Sequence, residues 1–217
     1  MLRTKFEEEL DKLHNQFYSM GTEVLAQLNK SVRAFVSHDR DLAKEVIEAD
    51  VIINEFETKL EKKSLEIIAL QQPVSNDLRT VITVLKASSD IERIGDHASS
   101  ISKATIRMKG EERIPLVEEQ INLMGKAVKH MVEDALNAYI TSDDIKAYEI
   151  AAHDEVIDNY YREIQTLAVE EIKKTPDAAF AGKEYFQVLM YLERIGDYAR
   201  NLCEWIVYLK TGKIIEL

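Results

Sequence analysis

The same five residues, Glu-Arg-Ile-Gly-Asp, occur twice in this chain, at 92–96 and at 193–197. The surroundings repeat with them. A shift of 104 sets Met20-Gly21 on Met124-Gly125, Ala34 on Ala138, Phe35 on Tyr139, Asp39 on Asp143, Glu45 on Glu149 and Asp50 on Asp154. After a three-residue deletion near the second proline the shift becomes 101, and six of the seven residues 92–98 match those of 193–199. Periods of roughly 20–50 residues mark solenoids. A period near 100 marks duplication of a whole folding unit, so the chain must build one unit twice, as residues 1–109 and 110–217.

The unit is helical. Only three prolines and seven glycines punctuate 217 residues, too few turn formers for a sheet protein of this size. Phe6, Leu10, Leu13, Phe17, Met20, Val24 and Leu28 form one apolar stripe at helical spacing. A turn follows at Ser37-His38-Asp39, where Asp39 or Asp41 can cap a second helix reaching about Leu70. Ser75 or Asn76 can cap a third, ending before Lys109-Gly110. The pattern restarts at Pro115, with Ser142 as a candidate cap for a fifth helix and Thr175-Pro176-Asp177 opening a sixth that ends near Lys210. The expected fold is all-α: two tandem three-helix bundles built from six long helices. Three helices per half suggest that both halves have the same orientation along the chain.

The charge balance limits function. Lys and Arg number 28 against 39 Asp and Glu, a net charge of −11, which speaks against a nucleic-acid surface. No apolar run approaches the ~20 residues that span a bilayer. The first residues lack the apolar core of a secretory leader. Cys203 is the single cysteine and has no zinc-spaced partner. These features suggest a cytoplasmic protein without direct membrane insertion. No Gly-rich phosphate loop, G-x-S-x-G or H-E-x-x-H motif is present, so catalysis is not expected.

The repeated carboxylates are the candidate chemistry. Positions i and i+4 share a helix face, which makes neighbours of Glu92 and Asp96, and of Glu193 and Asp197. Each like-charged pair destabilises an isolated helix by roughly 0.2–0.5 kcal/mol. The glycine inside each motif, Gly95 or Gly196, adds about 1 kcal/mol relative to alanine. Close approach of another helix or of a ligand would offset that. The second helix of each half supplies another i, i+4 pair, Asp50/Asn54 and Asp154/Asp158. Antiparallel packing of helices two and three would converge four oxygen-bearing side chains per half, a donor set for Mg²⁺, Mn²⁺, Ca²⁺ or iron and, less typically, zinc. Asn54 is neutral where Asp158 is charged, so the C-terminal half is expected to hold the stronger site. Arg93 and Arg194 are read as ion-pair partners of a neighbouring helix. His97 (Tyr198 in the repeat) and His153 are read as adaptable surface residues. Trp205 and Tyr208 are expected to anchor the last helix.

At these residues the chain resembles the PhoU family of bacterial phosphate-uptake regulators. The two Glu-Arg-Ile-Gly-Asp copies carry the likeness, together with Asp50–Asn54, Asp154–Asp158, the linker Gln72–Arg79 and the ending Arg200–Trp205. The resemblance implies multinuclear iron or zinc clusters on Asp50/Asn54, Glu92/Asp96, Asp154/Asp158 and Glu193/Asp197. It implies negative regulation of phosphate uptake and of phosphate-starvation signalling. The partners it implies are the ATPase subunit of the phosphate ABC transporter and, in many bacteria, a phosphate-sensing histidine kinase. A homodimer is also expected. Two alternatives remain. One is a metal-free helical adaptor. The other is a ferritin-like di-iron enzyme, which would need Glu-x-x-His motifs where this chain has Gly95 and Gly196.

Overall fold

The computed structural model describes residues 2–217, with side chains from residue 6 onward; Met1 and the side chains of the opening segment, read above as lacking a leader, lie outside the described residues. The first half folds into α1 (Leu2–Ser37), α2 (Arg40–Gln71) and α3 (Ser75–Arg107). The second contains α4 (Pro115–Thr141), α5 (Asp144–Ala151), α6 (Asp154–Lys174) and α7 (Ala179–Thr211), with one 3₁₀ turn at Pro176–Ala178. The all-α expectation holds, and the described residues include no strand. The counterpart of α2 is interrupted at Ala152-His153, which splits it into α5 and α6.

Local chemistry explains the ends. Asp39 caps α2 by accepting from the Asp41 and Leu42 amides at 3.1 and 2.9 Å. The corresponding cap of α5 is Asp143, which accepts from the Lys146 amide at 3.0 Å; Ser142, the residue chosen from sequence, instead ends α4 in a left-handed conformation. Pro115 occupies the first turn of α4, where its missing N–H is harmless. Gly212 closes α7 with φ 73°.

From α1 to α4 each helix reverses direction relative to the one before it, so three reversals turn the second half upside down relative to the first. The expected common orientation is therefore wrong. The pairing of α1 with α4 shows this directly: His14 near the start of α1 meets Tyr139 near the end of α4 at 2.8 Å, and His38 at the end of α1 meets Glu118 at the start of α4 at 2.8 Å. The contact is symmetric. A Cβ on Gly21 would lie 2.6 Å from the Leu136 side chain, and one on Gly125 would lie 2.6 Å from that of Val32. Gly21 and Gly125 are repeat mates, as are Val32 and Leu136. Each glycine thus receives the large residue of the other half, a pseudo-twofold knob-in-hole that only a bare backbone permits. The α3–α7 contact is likewise antiparallel, with Arg107 on Glu184 and Asp90 on Trp205.

One apolar core runs through both halves, from Leu13 and Phe17 on α1 to Ile206 and Val207 on α7. The α1–α4 and α3–α7 contacts carry it across the middle of the molecule. That leaves α2 on one flank and α5–α6 on the other, each laid over the third helix of its own half.

Candidate metal centres on the two flanks

Residues of α2 reach the motif of α3 because Ile53, fully buried, inserts at Gly95; a Cβ there would lie 2.7 Å from the Ile53 Cδ1 atom. Ile157 of α6 does the same at Gly196, 3.3 Å from the position of a Cβ. The glycines thus serve the close helix approach expected from sequence, and Ile53 and Ile157 are repeat mates. At Gly196 a carboxylate oxygen, Asp154 Oδ1, also lies 3.3 Å from where a Cβ would stand.

The packing brings the acidic residues together. In the first half burial, then the charges of Asp96, Glu57 and Asp50, push Glu92 up to about 7. Burial and Asp96 raise Asp50, against the pull of Lys103. In the second half burial, then Asp197, Asp158 and Asp154, raise Glu193. Asp154 is raised by burial as well, with Arg200 opposing and Asp197 and Asp158 adding. Seven of the eight residues picked from sequence therefore fall into two mutually repelling clusters, Asp50/Glu92/Asp96 and Asp154/Asp158/Glu193/Asp197. The eighth, Asn54, is exposed on α2, and its backbone carbonyl accepts from Thr58 Oγ1 at 2.9 Å.

The donor set fits a hard cation. Oδ1 of Asp50 is buried without a hydrogen-bond partner, the kind of orphan that a cation or a proton satisfies. Convergence is incomplete: among the described residues, no three His, Cys, Asp or Glu side chains stand close enough to close a coordination shell. The residues that would hold cations are Asp50, Glu92 and Asp96 on one flank and Asp154, Asp158, Glu193 and Asp197 on the other.

Two residues alter the balance between halves. Arg200 donates from Nη1 to Asp154 Oδ2 at 2.5 Å and lies 3.2 Å from Asp197 Oδ1, so the second cluster carries an internal cation. Its repeat mate is Ser99, whose buried Oγ has no partner. Glu57 adds a carboxylate to the first cluster, where the second half has Tyr161. The Asn54/Asp158 difference, which favours the second half, is thus countered by Glu57 and Arg200. Comparison of the repeats hid both, because it selects positions alike in the two halves.

Other residues picked out from sequence have structural roles. The Arg93 guanidinium lies 5.7 Å from the Tyr198 ring centre, and neither Arg93 nor Arg194 forms an ion pair with a described residue, contrary to expectation. His97 stacks between Tyr191 and Tyr198 at the α3–α7 contact instead of lying free on the surface. Trp205 donates to Asp90 Oδ2 at 3.0 Å and meets Tyr208 edge-on, so it anchors α7 as expected. Cys203 is buried, and burial pushes its thiol up to about 12. No helix among the described residues is long and apolar enough to cross a membrane.

The PhoU domain profile matches this chain twice, at residues 17–105 and 121–206. A phosphate-specific transport system accessory protein PhoU homolog from Clostridium acetobutylicum is 37% identical over 218 residues, covering 100% of this chain and 99% of that one. The homolog from Streptococcus pneumoniae is 36% identical, with full coverage of both. Among solved structures, the phosphate transport system regulatory protein PhoU from S. pneumoniae superposes with a TM-score of 0.91 at 35% identity, covering 98% of this chain and 100% of that one. PhoU from Pseudomonas aeruginosa gives 0.91 at 33%, covering 96% and 100%.

Proposed function

The chain belongs to the PhoU family, and on that footing we propose that it is the accessory protein of a phosphate-specific transport system, where it holds down phosphate uptake and phosphate-starvation signalling when phosphate is plentiful. The observation that carries this is the match over essentially full length, in both directions, to relatives named as phosphate-specific transport accessory proteins. Its partners on this reading are the transporter's ATPase subunit and a phosphate-sensing histidine kinase, and it reaches the membrane through them.

Metal binding belongs to the same proposal. Cations on the two clusters, iron or zinc by family resemblance with magnesium or manganese as hard-ligand alternatives, would relieve the carboxylate repulsion. A cation on Asp50, Glu92 and Asp96 would tie α2 to α3, and one on Asp154, Asp158, Glu193 and Asp197 would tie α6 to α7. The first flank has the orphaned Asp50 oxygen and the extra carboxylate of Glu57; the second has four carboxylates against Arg200.

Deleting the gene and measuring phosphate uptake in replete medium tests the regulatory role. Uptake and starvation-gene expression are expected to rise, and the wild-type gene to restore both. A Glu92→Ala/Asp96→Ala/Glu193→Ala/Asp197→Ala version is expected to restore neither. Unchanged uptake and expression in the deletion strain would refute the proposal.

A further inference from the structure

At the α1–α4 contact a cavity of about 280 Å³ opens beside Val32 and Gly125. Val32, Val36 and Gly125 form its apolar floor, Asn29 and Asn122 offer amide groups, and Arg33, Lys126 and Lys129 supply the charge. No acidic residue lines it, in a chain whose net charge is −11. Arg33 and Lys126 are exposed and form no ion pair with a described residue. Lys129 reaches only Glu133, one turn along, at 3.9 Å. Three cations gathered with only that one distant carboxylate between them repel one another, and an anion would remove that repulsion.

The duplication supplies an internal control. The pseudo-twofold places a mate of this surface beside Gly21 and Leu136. There Asn122 is replaced by Tyr18, Lys126 by Thr22, Lys129 by Leu25, Arg33 by Asn137 and Asn29 by Glu133. Leu25 packs against the core. The mate surface thus carries no cation and one carboxylate. The fold can be built without the basic cavity, so packing does not require it.

The geometry points to this cavity as a binding site for a phosphoryl group, either free as orthophosphate or carried on a small organic molecule. Three cations suit a dianion better than a single carboxylate, and arginine forks match phosphate oxygens. The apolar floor and a volume near the lower end of ligand pockets, ~300–1,000 Å³, favour the organic form. The site lies on α1 and α4, away from the carboxylates of α2, α3, α6 and α7, and does not depend on the metal reading.

Isothermal titration of the full chain at low ionic strength with orthophosphate, and separately with adenosine monophosphate, tests this. Binding is expected, and Arg33→Glu/Lys126→Glu should weaken it about ten-fold or more. Asn122→Tyr/Lys129→Leu copies the mate surface into the cavity and should abolish binding while circular dichroism stays that of the wild type. Binding of adenosine monophosphate alone identifies the organic source, and equal binding of both identifies the bare phosphoryl group. Absence of heat with both ligands, or affinity unchanged in both variants, would overturn the assignment.

Discussion

Glu118 lies where the two halves join, and its removal should be severe. Its side chain is 6% exposed and accepts three contacts: Arg113 Nε at 2.5 Å, Tyr185 Oη at 2.9 Å and His38 Nε2 at 2.8 Å. Arg113, itself 11% exposed, also donates to the Phe35 carbonyl at 2.9 Å, and Tyr185 Oη accepts from the Ile114 amide at 2.8 Å. The network therefore pins the end of α1, the linker before α4 and the start of α7 to one carboxylate. Glu118→Ala would strand a nearly buried guanidinium, a change that costs about 3–5 kcal/mol. For a chain of this size each kcal/mol lowers Tm by about 2–4 °C, so a fall of roughly 6–20 °C is expected in thermal melts followed by circular dichroism. Glu118→Gln keeps the shape and loses the charge, for a smaller loss of about 1.5–3 kcal/mol. Adding Arg113→Met to Glu118→Ala should recover part of the loss, since no unpaired charge then remains. A Glu118→Ala protein that melts within about 2 °C of the wild type, under 1 kcal/mol on the same scale, would refute the view that this network clasps the halves.

Further outcomes follow from the flanks and the α3–α7 contact. Asp50, Glu92, Asp154 and Glu193 all hold protons more tightly folded than unfolded. Their contribution to stability is therefore complete below the ordinary carboxylate range and is lost as pH rises toward about 7, where Glu92 titrates. The melting temperature of metal-free protein should show this decline between pH 4.5 and 7, with Glu92→Gln flattening it; a profile unaltered by that substitution would count against the raised value. Trp205→Phe removes the indole donor to Asp90, which is only 9% exposed, and should destabilise by about 1–3 kcal/mol in urea melts. Gly196→Ala would place a methyl 3.3 Å from Asp154 Oδ1 and should weaken metal uptake by the second flank while Tm changes little.

The apolar spacing of Phe6 to Leu28, the scarcity of proline and the doubled motif made the helices and the duplication legible in the sequence. The orientation of the halves was not legible, because counting helices does not say whether the connection after α3 reverses the chain. The Gly21/Leu136 and Gly125/Val32 exchange resolves that point, and it depends on contacts 115 and 93 residues apart. The interruption at Ala152-His153 also escaped, since continuous α2 was its template. The paired carboxylates were found because both halves carry them. Glu57, Arg200 and the basic cavity were missed for the converse reason: each exists in only one half. Asn54 was included by its spacing alone, and its exposed place on α2 gives it the weakest claim of the eight.

The most direct test of the carboxylate clusters is the metal content of protein purified without an affinity tag or chelator, determined by elemental mass spectrometry. Wild type should retain bound metal, Glu193→Ala/Asp197→Ala and Glu92→Ala/Asp96→Ala should each lose a large part of it, and the combined variant should lose nearly all. Metal content unchanged in the combined variant, or no metal in the wild type after incubation with iron, zinc, manganese and magnesium, would contradict the account.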